Sequence, residues 1–375
     1  MRDDAELAAI ADEHGTPVLV LERGVLKERL ALFRRLLPRV LPHYAVKACP
    51  HPEVVRTLHG AGAAFDLATS GEIEVLRGCR VPPSAAIHTH PIKRDVDIRA
   101  ALRYGCTTFV VDNASEIDKF ARYRERVGLL LRIRIDNERA RIDLSRKFGC
   151  APDAVPELIA YAVSRGVHVK GLSFHVGSGN ADPTAHVHAV RTLAATLEDC
   201  RGVTAARLTV LDIGGGFPVG HSLSAEDPLP AYCAPLAEVI AELPSRVSVV
   251  AEPGRALVAP AMSSVNTVVG KAVRGGTPWY YLDDGVYGAF SGRVFDHAEF
   301  ELLPLGAAAA RGAASCSPAV VAGPTCDSID VVSDACPLPD LEIGDRLLTR
   351  MIGAYSWATA TEFNSIPRPK VVVVD

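Results

Sequence analysis

Over its first two-thirds the chain alternates short apolar or β-branched runs with amphipathic helical stretches, and this alternation limits its possible folds more than any other feature. The runs that read as strands are Tyr44–Ala48, Ala64–Ala68, Ala86–His90, Thr108–Asp112, Leu129–Ile135, Val169–His175, Leu208–Gly214 and Val249–Glu252. Helical spacing fills the gaps, as in VLKERLALFRRLL, PEVVRTLHGAG, EIDKFARYRERV and AHVHAVRTLAATLEDC. Parallel neighbours need a crossover long enough to hold a helix, so this alternation implies a parallel sheet and an α/β fold. Eight such units over roughly 200–250 residues predict a (β/α)8 TIM barrel, here across 23–261. An open doubly wound sheet competes, but no GxGxxG follows the first strand. From about Met262 the helical periodicity fades. SSVNTVVG, WYYLDD, AVVAG, RLLTRM and KVVVVD, with Gly and Pro between them, predict a C-terminal antiparallel β domain over 262–375. Residues 1–22 join it, because the run Pro17–Leu21 precedes the first barrel helix.

A chain of 375 residues, 48% hydrophobic and 22% charged, can fill both cores. Its net charge of -4 lacks the basic excess of a nucleic-acid binder. No apolar run approaches the roughly 18 residues of a membrane span, and MRDDAELAAI does not read as a secretory signal. Nine scattered cysteines without a CxxC pair suit a reducing cytoplasm and argue against a disulfide framework or a structural zinc site.

A barrel carries its chemistry at the C-terminal ends of its strands. Those positions hold Lys47, Asp66, His90, Asp112, Arg134 with Asp136, His175, Gly214–Gly216, and Glu252 with Arg255. A lysine just past an apolar strand either snorkels to solvent or serves as a desolvated amine nucleophile. GGGF at Gly214–Phe217 is either a tight turn or a backbone cradle for phosphate. In EPGR, Arg255 suits a phosphate and Glu252 a protonated heterocyclic nitrogen, unless the two merely pair with each other at the surface. His175 in FHVGSG is either a satisfied core histidine or a ring that stacks on a cofactor.

Taken together, YAVKA, SFHVGSG, DIGGGFP, AEPGRALVA, DDGVYGAF, GPTCDSID and GAYSWATATEFN resemble, in order and spacing, the motifs of the pyridoxal-phosphate group IV decarboxylases. That family includes ornithine, lysine, diaminopimelate and arginine decarboxylases, with eukaryotic-type ornithine decarboxylase the nearest match, and the resemblance runs from roughly Pro17 to Val374. It implies an alanine-racemase-like barrel plus a β domain, pyridoxal 5'-phosphate as cofactor, and a homodimer with shared active sites. Lys47 resembles the Schiff-base lysine, Asp66 the acidic residue beside it, Glu252 the partner of the ring nitrogen, and His175 the ring on the cofactor face. Ser178, Gly215, Gly216, Gly254, Arg255 and Tyr355 resemble the remaining cofactor-binding set. Cys326 resembles the proton donor to the substrate carbon. Asp327 and Asp296 resemble the carboxylates for a distal ammonium, with Tyr287 and Phe363 beside the substrate.

The implied reaction is decarboxylation of a basic L-amino acid. Ornithine, giving the polyamine precursor putrescine, stands first and lysine second. Diaminopimelate or a specialised biosynthetic amino acid is the alternative, and a catalytically inactive binding relative is another. Glu252 and GPTCD argue against a racemase, which favours an arginine near the ring nitrogen. One position departs from the family: Asp143 in IDLSRKFG stands where an arginine is common.

Overall fold

The computed structural model describes residues 1–135, 137, 145–179, 182–200, 208–220, 226–312 and 316–375. These form two compact units, one of 29–218 with 228–256 and one of 1–28, 219–227 and 257–375. Asp136 and Asp143 lie outside the described residues.

Strand β1 (Val18–Glu22) belongs to the second unit. The first unit is a closed barrel of eight parallel strands: β2 (Val40–Ala45), β3 (Ala64–Leu67), β4 (Ala86–His88), β5 (Thr108–Val111), β6 (Gly128–Ile133), β7 (His168–Phe174), β8 (Val210–Asp212) and β9 (Ser248–Ala251). β9 closes the ring on β2 through Val40–Val249, Leu41–Val250 and Pro42–Ala251. Most strand residues are buried, as helices covering the outer face of a parallel sheet require.

Every barrel strand ends one to three residues before the sequence predicts, and at two of them the early end bears on the site. The first leaves the sheet at Ala45 and makes a single 3-10 turn, Val46–Ala48, closed by Cys49 N–H on Val46 O at 3.1 Å. Lys47 therefore rides on a turn. β6 stops at Ile133 because Arg134 N–H bonds Cys150 O at 2.8 Å instead of the neighbouring strand. The EIDKFARYRERV stretch also divides, into a helix Ala114–Phe120 and a 3-10 segment Ala121–Arg126.

The second unit adds β10 (Met262–Arg274), β11 (Thr277–Leu282), β12 (Leu303–Leu305), β13 (Ser317–Ala322), β14 (Val331–Leu338), β15 (Arg346–Thr349) and β16 (Lys370–Val374). They run in the order β12-β15-β10-β11-β13-β14, with β1 on β10 and β16 on β1. The sequence reading is antiparallel throughout, yet β1 with β16 and β11 with β13 are parallel. Both pairs are joined by long stretches of chain, so no tight hairpin dictates their direction. Leu7 and Ala11, from the capped helix Asp4–His14, bury against Val18, Val20, Val265 and Leu348. No described helix is long and apolar enough to cross a membrane.

His88, at the end of β4, is completely buried, and neither ring nitrogen has a hydrogen-bond partner among the described residues. Burial, aided by Lys93, pushes its pKa down to about 3. The unfolded chain therefore binds a proton that the folded chain refuses, and stability is lost as pH falls from about 6.5 towards 3. At pH 5 this linkage amounts to about 2 kcal/mol. His88→Leu is expected to raise Tm, by roughly 4 °C more at pH 5 than at pH 7.5. A pH-independent gap between the two melting curves would rule this account out.

Candidate active site

Most of the sequence-singled residues of the barrel converge at the C-terminal ends of its strands. Lys47 Nζ lies 3.6 Å from Asp66 Oδ2, the carboxylate being buried and the lysine side chain 40% exposed. The Thr89 hydroxyl donates to the other oxygen of Asp66. The amine thus has an anion on one side and open space on another. Behind it, Gly254 packs against the lysine's turn: a Cβ there would come within 2.9 Å of Ala48 Cβ.

Glu252, just past β9, and Asp212, the last residue of β8, form a pair of interacting buried carboxyls. Burial raises both carboxyls: Asp212 and Asp66 add to the shift on Glu252 and hold it well above the usual carboxylate range, whereas on Asp212, at about 6, Asp66 adds to the shift and Glu252 opposes it. Arg132 on β6 is the nearby cation; burial lowers its pKa, while Glu252, Asp112, Asp212 and Asp66 oppose that shift. Phe148 stands against its guanidinium at 5.3 Å. Glu72, at the start of the helix Ser70–Gly78, accepts the Ala68 N–H at 2.5 Å. Burial pushes its carboxyl up to about 7, with Asp66 adding to the shift and Lys47 opposing it.

The glycines of GGGF are fixed by crowding. Gly216 has φ +96°, and a Cβ on it would meet Gly177 O at 2.4 Å. A Cβ on Gly215 would lie 2.8 Å from Glu252 O and 3.0 Å from His175 Nε2. His175 Nδ1 accepts the Gly177 N–H at 3.0 Å, so the remaining ring proton sits on Nε2. Burial, with Arg132 and Lys47 nearby, keeps this ring neutral. Ser178 follows in the same partly exposed segment, and Arg255 opens the short helix Arg255–Val258. Pyridoxal phosphate fits these residues. The backbone cradle admits a phosphate but no side chain, the flat neutral imidazole suits a ring face, and the buried carboxyls gain a counter-charge from a protonated ring nitrogen.

In the second unit, Tyr287 stacks on Phe363 with ring centroids 4.3 Å apart and donates its hydroxyl to Asp327 Oδ2 at 2.5 Å. That bond, with the Ile329 N–H on Oδ1, holds the half-buried Asp327 below the usual carboxylate range. Cys326 is exposed, and both its amide and its thiol donate to Asn364 Oδ1, at 3.3 and 3.4 Å. Asp296 ends the helix Gly292–Phe295, and Tyr355 sits at φ +54° in a loop.

Four residues at the barrel face escape the sequence reading, Asp212 among them because the predicted strand Leu208–Gly214 runs past it. Arg132 is masked by a strand drawn two residues too long, which promotes Arg134, an exposed side chain, to the strand end. Period two puts both arginines on one face, so the shorter strand would have singled out Arg132. Glu72 reads only as the last member of the Thr69–Glu72 capping box, which it also is. Thr89 carries no charge to attract notice.

The family described as "Pyridoxal-dependent decarboxylase, pyridoxal binding domain" matches residues 23–259. The chain is similar to a lysine/ornithine decarboxylase of Selenomonas ruminantium, 36% identical over 361 residues that cover 96% of this chain and 90% of the relative. It also resembles the crystal structure of a lysine/ornithine decarboxylase from Vibrio vulnificus complexed with putrescine, at TM-score 0.92 and 43% identity, covering 99% and 98% of the two chains. The arginine decarboxylase of Paramecium bursaria Chlorella virus bound to agmatine superposes at TM-score 0.93 with 30% identity, covering 99% and 100%.

Proposed function

The chain belongs to the pyridoxal-dependent decarboxylases, and from that premise we propose that its preferred substrate is ornithine, with lysine second. It is a carboxy-lyase that uses pyridoxal phosphate and acts on basic amino acids. The finer reading rests above all on Asp327, an ionised carboxylate held in place beside the aromatic wall of Tyr287 and Phe363. A fixed anion next to an apolar wall suits an ammonium at the end of a short methylene chain. Asp296 is the second carboxylate of this reading.

Bound pyridoxal phosphate supplies the electron sink for the pair left on Cα when CO₂ departs. Lys47 offers the amine that anchors the cofactor, and Asp66 orients it. Glu252, backed by Asp212, holds a proton at the ring nitrogen. His175 lies on the ring face. Ser178, Gly215, Gly216, Arg255 and Tyr355 hold the phosphate end, and Gly254 leaves room for the turn that carries Lys47. Cys326 delivers the proton to Cα.

In this reading a twofold homodimer shares its sites, each chain lending Cys326 and Asp327 to the barrel of its mate. Exposed Phe295, Ile329 and Phe363, at 62%, 56% and 40%, supply apolar surface for such an interface. The nine free cysteines suit a cytoplasmic location.

Release of CO₂ from ornithine, lysine, arginine and diaminopimelate tests the reading. Ornithine is expected to give the highest kcat/KM, with lysine within the roughly 10–200-fold that one methylene can discriminate. Asp327→Ala is expected to raise KM for both diamino acids by about 100-fold, through loss of a charge-assisted contact. Equal KM values before and after the substitution would remove Asp327 from the substrate site.

A further inference from the structure

We infer that His186 and Tyr232, which lie behind the cofactor cradle, fix the peptide at Ile213–Gly214 and thereby position both the glycine turn and the Asp212–Glu252 carboxyl pair. His186 lies on the helix Thr184–Asp199, fully buried among the rings of Phe174, Phe217 and Tyr232 at 5.4, 5.1 and 5.9 Å. Its Nε2 is 2.8 Å from Ile213 O, and its Nδ1 is 2.9 Å from the Tyr232 hydroxyl. A carbonyl oxygen can only accept, so Nε2 carries the proton. Nδ1 then holds a lone pair, and Tyr232 must donate to it. The relay has one direction: Tyr232 O–H to His186, and His186 N–H to Ile213. Burial pushes His186 down to about 4, which keeps the ring in the singly protonated form that this direction requires.

The peptide plane carries the effect inward. Ile213 C=O and Gly214 N–H belong to one planar unit and point in opposite directions. Holding the carbonyl on His186 therefore aims Gly214 N–H at Asp212 Oδ1, 2.9 Å away. Gly214 O in turn accepts the Glu252 N–H at 2.8 Å. Gly214 has φ +64°, and any Cβ would strike Phe174 O at 2.2 Å, so the turn cannot be held by a side chain of its own. Phe217, at the end of the turn, packs edge-on to Phe33 at 4.8 Å and over His186 itself. His186 and Tyr232 are positioning residues, acting on the site only through the Ile213–Gly214 peptide.

The inference rests on the proposed role of the turn as a phosphate cradle, and cofactor retention separates the two. Wild-type holoenzyme, His186→Phe, His186→Gln and Tyr232→Phe would be compared for the rate of pyridoxal phosphate loss on dilution, followed by absorbance. The pH dependence of kcat would be measured alongside. His186→Phe keeps the aromatic volume and removes both hydrogen bonds. It is expected to release cofactor about tenfold faster and to shift the pH profile of kcat. His186→Gln can still donate to Ile213 O and is expected to recover most of the retention. Tyr232→Phe, which leaves the ring in place, is expected to fall between the two, and it carries the test should His186→Phe fold poorly. Wild-type retention together with an unchanged pH profile in His186→Phe, or in Tyr232→Phe where that variant carries the test, would overturn the inference. Failure of the wild-type protein itself to retain pyridoxal phosphate would overturn the cradle reading instead.

Discussion

Lys47→Ala is expected to lower kcat by roughly four orders of magnitude and to abolish the visible absorption band of lysine-bound cofactor. The effect is large because no other described lysine is drawn to this place: the Val46–Ala48 turn, pressed onto Gly254, presents this one amine 3.6 Å from Asp66. Lys47→Arg separates charge from nucleophilicity. A guanidinium can keep the ion pair with Asp66 but stays protonated and offers no amine lone pair. Both variants are expected to be equally inactive. Substantial turnover by Lys47→Arg would mean that the residue acts through its charge alone, and the anchoring role would fall.

Glu252→Gln is the second large effect. Glutamine preserves the shape of the side chain and its place beside Asp212, yet it cannot supply the negative charge that keeps a ring nitrogen protonated. Preorganised charge of this kind is worth about 10²–10³ in rate, so kcat should fall by that factor while cofactor remains bound and KM changes little. Asp212, which burial and Asp66 raise, should stay above the ordinary carboxylate range in this variant, because neither cause is removed. Steady-state kinetics and the cofactor spectrum, taken from pH 5 to 9, would check both points. A kcat within threefold of wild type would remove Glu252 from the chemistry.

The parts of the site legible in the sequence are those where a residue contradicts its surroundings. Lys47 interrupts an apolar run, GGGF puts three flexible residues at a strand end, and EPGR sets opposite charges around Pro-Gly. Residues that agree with their surroundings stay hidden. His186 in AHVHAV reads as one more member of a helix, and nothing local reveals that its two nitrogens bridge Tyr232 and Ile213. Arg132 and Glu72 disappear into a strand and a helix cap. Cys326, Asp327 and Asp296 could be singled out only through family resemblance, because they lie in loops with no periodicity to place them. The parallel pairing of β16 with β1 was likewise illegible, since pairing direction between distant segments leaves no mark on either.

Closure of the ring by β9 on β2 sets the order in which this protein can become an enzyme. Lys47 and Glu252 stand at the two ends of the barrel's strand sequence, and they become neighbours only when Val40–Pro42 pairs with Val249–Ala251 and Ala45 N–H reaches Pro253 O. A nascent or partly folded chain lacking that seam has Lys47 and Asp66 but not Glu252 across from them. Capture of the cofactor therefore certifies that the last strand has docked, and its binding energy falls on the finished barrel alone, which it stabilises against every intermediate that precedes it.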